Sequence, residues 1–141
     1  MMKARKISQP LTSENVLVAY KTLRDNNFVL FDIPDDAFSK IESLVSTINA
    51  NYYGYTPYGC VELQAAACLY YIVKDHVFND GNKRTAVLTT VTFCAMNGVE
   101  ITLPQDLLDA LVVVIEDIKD QKSEAFIHTI AGVMFSDVEG L

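Results

Sequence analysis

The sequence predicts an all-α fold, a compact bundle of about six helices around one central buried helix. Three observations lead there. The long segments repeat apolar side chains at the three-to-four-residue spacing of a helix face. One stretch, residues 61–73, is apolar almost all round, relieved by Glu62 and Gln64, as a helix buried on every side must be. The 141 residues are 50% apolar and 21% charged, too apolar and too weakly charged for disorder. They suffice for a single domain over residues 1–141 that buries about two-thirds of its unfolded surface.

Each element follows in chain order. Thr12 or Ser13 caps a first helix with Val16, Tyr20 and Leu23 on one face, and Asn26-Asn27 ends it. Residues 28–33 form a short apolar run, a strand or an extended link. Asp32 or Asp35, beside Pro34, opens a helix striped with Phe38, Ile41, Leu44, Val45 and Ile48. Residues 49–59 are a loop, with Tyr52, Tyr53, Tyr55 and Tyr58 around Gly54, Pro57 and Gly59. Those tyrosines either line a cleft or pack down as loop anchors. The buried helix follows, then a polar interruption over residues 74–82. A helix resumes at Lys83 through Val87, Leu88, Val91, Phe93, Cys94 and Met96, and stops at Asn97-Gly98. Thr102 and Gln105, with Pro104 between, form a capping-box pattern before a helix carrying Leu107, Leu108, Leu111, Val114, Ile115 and Ile118. Ser123 opens the last helix, with Phe126, Ile127, Ile130 and Met134.

Composition excludes several classes. The net charge of −7 argues against nucleic-acid binding, which needs a basic footprint. No apolar run reaches the ~20 residues that span a bilayer, and the basic N-terminus has no apolar stretch behind it to make a signal peptide. Residues 1–24 hold five cations against one acid, and the rest of the chain six against seventeen. The basic arm at the start reads as a frayed terminus. Cys60, Cys68 and Cys94 are odd in number and at no metal-ligand spacing, and imply a reducing, cytoplasmic compartment.

Chemistry concentrates in the interruption. From Ile41 to Ile118 the cations are Lys74, Lys83 and Arg84, and two of them open a helix, where cations are disfavoured by ~0.3–1 kcal/mol each. A polyanion in the space they share resolves the conflict, because a helix amino end attracts anions. Gly81 lets backbone approach such an anion, Asn82 donates from its amide, and Asp80 offers hard oxygen suited to Mg²⁺. His76 can take a proton from a hydroxyl near neutral pH. Singly, each residue has a bland reading: a cap, a turn, an Asp80–Arg84 pair. Together they make a base, a metal anchor and an anion cradle, the parts of phosphate-bond chemistry. Phe78 reads as an anchor of the loop in the core, and His128 as a surface or core-edge histidine.

The run His76-Val77-Phe78-Asn79-Asp80-Gly81-Asn82-Lys83-Arg84 resembles the signature of the Fic/Doc family, His-x-Phe-x-(Asp/Glu)-(Gly/Ala)-Asn-(Gly/Lys)-Arg. Residues 58–98 resemble the family core, and the flanks fit as helices of suitable length. The resemblance implies a Fic/Doc-like helical fold that uses ATP and Mg²⁺ to modify a hydroxyl side chain of a target protein. It makes His76 the catalytic base, Asp80 the magnesium carboxylate, Gly81 and Asn82 the anion hole, and Arg84 the phosphate clamp. Lys83 stands where AMP-transferring members carry Gly and the Doc branch carries Lys, and Val77 replaces their Pro. Gly81 stands where the Doc toxin carries Ala. The branch implies a toxin that passes a phosphoryl group to a translation factor and is held by a separate antitoxin.

Two alternatives stand beside this kinase reading: AMP transfer on the same fold, and a catalytically silent binding adaptor, against which the intact His76, Asp80, Asn82 and Arg84 argue. The family's self-inhibiting pattern, Ser/Thr-x-x-x-Glu-(Gly/Asn), is missed narrowly twice. Phe135 precedes Glu139-Gly140, and Pro10 precedes Glu14-Asn15, where Ser or Thr is needed.

Overall fold

A computed structural model describes residues 2–119 and 123–141, and these form six helices and no strand. They are α1 (Ser13–Asp25), α2 (Ala37–Ile48), α3 (Val61–Lys74), α4 (Asn82–Met96), α5 (Gln105–Asp117) and α6 (Ser123–Met134). Helix α3 is the hub: α2, α4, α5 and α6 all pack on it, α4 most extensively, and α1 lies against α4 and α2. Among the described residues, no helix is long and apolar enough to cross a membrane.

Local chemistry explains most helix ends. Thr12 accepts the Asn15 N–H at 3.2 Å while the Asn15 side chain accepts the Thr12 N–H at 2.8 Å, a capping box that opens α1. Asn97 closes α4, and Gly98 turns the chain with φ +67°. Two expected starts differ. Helix α2 is preceded by Asp36, not Asp32 or Asp35, and Asp32 instead pairs with Arg24 at 3.4 Å. Thr102 caps nothing: its hydroxyl donates to the Met134 carbonyl and accepts the Ser136 N–H, both at 3.0 Å, tying the approach to α5 onto the end of α6. Three consecutive valines, Val112 to Val114, sit within α5, so packing overrides their β preference.

The buried faces also depart from the apolar stripes. Helix α4 buries Thr85, Ala86, Thr89, Thr90, Phe93 and Cys94, whereas Val87, Leu88 and Val91 face a surface groove. Helix α4 packs most extensively on α3, where Ala65 to Cys68 are small and buried. Residues 28–33 are an extended strap with Val29 buried and Leu30 80% exposed. Of the four loop tyrosines, Tyr58 alone is buried, its hydroxyl 3.2 Å from that of Tyr71. Tyr52, Tyr53 and Tyr55 are exposed, with Tyr55 bonded to Glu124.

The N-terminal arm is not frayed. Glu62 is fully buried and accepts from the Arg5 backbone N–H at 2.8 Å and the Arg5 guanidinium at 2.6 Å. Gln64, also buried, accepts from the Leu11 N–H and donates to Asn49. The polar residues of the hub helix therefore bind the arm. Met2 bridges to Val138, and the Glu139 N–H donates to the Met2 carbonyl at 3.0 Å, which joins the two ends of the chain. Cys68 and Cys94 are buried free thiols and Cys60 a half-buried one.

Candidate functional site

The candidate site grows from the connection between α3 and α4. After Lys74 the chain reverses at His76, held in the left-handed region with φ +44°. The next two residues turn inward: Val77 and Phe78 are buried, and the Phe78 ring stacks on Tyr20 with centroids 3.9 Å apart. The reversal leaves His76 exposed, its carbonyl accepting from the Lys40 ammonium at 3.2 Å.

Asn82 locks the loop from below. Its side chain accepts the Phe78 N–H at 2.9 Å and donates to the Phe78 carbonyl at 2.7 Å. Both backbone groups are buried and would otherwise be orphaned. One of the two N–H groups of the Asn82 amide is thereby engaged within the loop, and Asn82 also lines the cleft described below. Gly81 also has a reason in the fold. It has φ +78°, and a Cβ there would lie 2.2 Å from Val29 Cγ1. Its bare face receives the strap, while the residue also lines that cleft. The strap is fixed twice more: the Tyr20 hydroxyl donates to the Phe31 carbonyl at 2.8 Å, and Arg84 donates to the Phe28 carbonyl at 2.9 Å. Burial raises the Tyr20 phenol above its ordinary 10.0.

An open cleft of about 440 Å³ results, and His76, Asp80, Gly81, Asn82, Lys83 and Arg84 all line it, with Phe28, Asn79 and Glu116. The amino end of α4 opens into this space. No side chain caps it and its first turn holds no acid, so its first N–H groups lack intrahelical partners. The Arg84 guanidinium lies 5.5 Å from the Phe28 ring centroid, a cation–π contact that steadies it.

Lys83 reaches across to α5, its ammonium 3.1 and 3.0 Å from the two carboxylate oxygens of Glu116. In this structure the Lys83 charge is countered by Glu116 rather than left open to the cleft. Asp80 has no ion pair among the described residues, and the alternative Asp80–Arg84 pair does not form. No cluster of three or more His, Cys, Asp or Glu stands among the described residues. One free carboxylate beside an anion cradle fits Mg²⁺, which keeps its waters and takes one or two carboxylates together with phosphates. Glu139 makes no pair with Arg84; its segment closes the termini.

Phe28 and Glu116 were invisible to local motif reading, lying 56 and 33 residues from their partners. A weak signal existed for Glu116. Glu116-Asp117 ends α5 with no basic residue in the last turn, the wrong sign for a helix carboxyl end.

The profile of the Fic/DOC family matches residues 6–94, more than half of the chain. The protein Toxin Doc of Mycolicibacterium smegmatis is 33% identical over 70 residues, 50% of this chain and 54% of that protein. The chain thus spans about half the length of this curated relative. No solved structure matches.

Proposed function

The chain belongs to the Fic/DOC family, and from that membership we propose that it is the toxin of a toxin–antitoxin pair, transferring a phosphoryl group from ATP to a hydroxyl side chain of a target protein. The observation that carries this is the convergence of His76, Asp80, Arg84 and the uncapped amino end of α4 on one cleft.

The chemistry assigns each group a task. His76, exposed to a macromolecular partner, takes the proton of the target hydroxyl as that oxygen bonds to the γ-phosphorus. The bond from γ-phosphorus to the bridging oxygen breaks and ADP leaves. Arg84 and the first N–H groups of α4 hold the phosphate charge. Asp80 would hold Mg²⁺, which supplies charge neutralisation on phosphate oxygens when bound. Asn82 shapes the loop through Phe78, and the second N–H of its amide serves the anion hole with the Gly81 backbone.

The resemblance to Toxin Doc supports a separate antitoxin; a translation factor as target follows from the Doc-like signature with Lys83. A partner segment also has a surface to fit: the groove of Leu23, Val87, Leu88 and Val91 meets the cleft at Phe28 and Arg84. A second reading, AMP transfer, draws on the Lys83–Glu116 pair, since a lysine held on α5 leaves the amino end of α4 open to an α-phosphate.

Lysate incubated with the protein and ATP labelled at the α or the γ position separates these. Protein-bound label from γ alone, lost in His76→Ala, is the expected result. Retention of α label turns the assignment to AMP transfer. No label from either, in wild type as in His76→Ala, leaves a binding adaptor.

A further inference from the structure

We propose that Glu116 is a positioning residue that holds Lys83 in reserve, so that a polyphosphate gains the lysine only by drawing it off α5. The inference rests on the reading of the cleft as a phosphate site.

The two halves of the pair differ in freedom. Glu116 sits near the end of α5, and the Lys74 ammonium is bonded to the carbonyls of Glu116 and Ile118. That clasp fixes the carboxyl end of α5 and satisfies carbonyls that have no helical partner. Lys83, by contrast, carries a point charge on a flexible stem with three donors. Its side chain is 41% exposed and that of Glu116 36%. A pair so wetted is weak and exchanges readily. The backbone of Glu116 is therefore held at the end of α5, and the pair opens chiefly by movement of the longer Lys83 stem.

Both residues line the cleft, so an entering polyphosphate meets the pair directly. With Lys83 on Glu116, the amino end of α4 and Arg84 act alone on the anion, and the carboxylate faces it. Transfer of the ammonium to a phosphate oxygen adds a cation to the ligand but leaves Glu116 unpaired nearby. Glu116 thereby sets the cost of recruiting Lys83, and with it the affinity of the cleft for polyphosphate.

Calorimetric binding of inorganic tripolyphosphate to the intact protein tests this, using wild type, Glu116→Gln, Lys83→Met and the double variant. Glu116→Gln is expected to bind about five-fold more tightly, the scale of an exposed pair, with a steeper loss of affinity as salt rises. On the Lys83→Met background the same change is expected to give a clearly smaller gain, the relief of carboxylate repulsion alone. An equal gain with and without Lys83 means plain repulsion by a carboxylate and overturns the proposal, as does unchanged affinity in Glu116→Gln. Wild type that binds no tripolyphosphate overturns the phosphate-site reading along with it. Should Glu116→Gln fail to fold by circular dichroism, Glu116→Asp, which shortens the reach to Lys83, is expected to give a smaller gain of the same sign. No gain there overturns the proposal equally.

Discussion

At the scale of single residues, Gly81 and Asn82 hold the shape of the site. Gly81 is required twice, by its backbone and by Val29. Gly81→Ala places a side chain in the left-handed region, costing ~1–2 kcal/mol, and drives its Cβ to 2.2 Å from Val29 Cγ1. The expected outcome is a lower urea midpoint, partly restored by adding Val29→Ala. Simple additivity of the two changes would contradict the contact. Asn82 is the other keystone. Asn82→Ala leaves the N–H and carbonyl of Phe78 buried without partners, at ~1–3 kcal/mol for each orphaned group. Hydrogen exchange at the Phe78 amide is expected to speed up. An unchanged rate would remove Asn82 from this structural task.

At the scale of elements, the strap and the arm decide how the helices are used. The strap at residues 28–33 is a link rather than a strand, and it delivers Phe28 to the cleft and Val29 to Gly81. The arm is pinned to α3 by Arg5 and Glu62. Truncating one partner of a buried ion pair costs ~3–5 kcal/mol. Because the Arg5 backbone N–H still donates to Glu62 after Arg5→Ala, the expected loss is smaller, about 2 kcal/mol. Chemical denaturation reads it directly, and a change within about 0.5 kcal/mol, the usual range for surface positions, would show that the pair is merely a surface one.

At the scale of the whole molecule, the core imposes a pH dependence. Burial pushes the thiols of Cys68 and Cys94 from 9.0 to about 12. Their folded values are raised, so the folded state holds protons that the unfolded chain releases. Their contribution is complete below pH 9 and is lost as pH rises toward about 12. The urea midpoint is expected to decline across that window, and less steeply in Cys94→Ala. An identical slope in that variant would exclude the thiol as a source. The same burial keeps both thiols slow toward alkylating reagents, so half-buried Cys60 is expected to react first.

How much was legible without coordinates follows from the range of each force. Helix number and the stops at Asn26 and Asn97 arise from neighbours a few residues apart, and periodicity and capping report those. The run from His76 to Arg84 was legible because its side chains share one turn between two helices. What packing alone decided lies further away. The buried face of α4, Thr85, Ala86, Thr89, Thr90, Phe93 and Cys94, is set by its packing on α3 and α1. Gly81 answers to Val29, Arg84 to Phe28, and Lys83 to Glu116, each partner tens of residues distant. Sequence by itself determined which neighbouring groups, from His76 to Arg84, stand at the amino end of α4. Tertiary structure decided which of them remain free for a ligand, because hydrogen-bond donors and charges are satisfied by whatever the fold brings nearest.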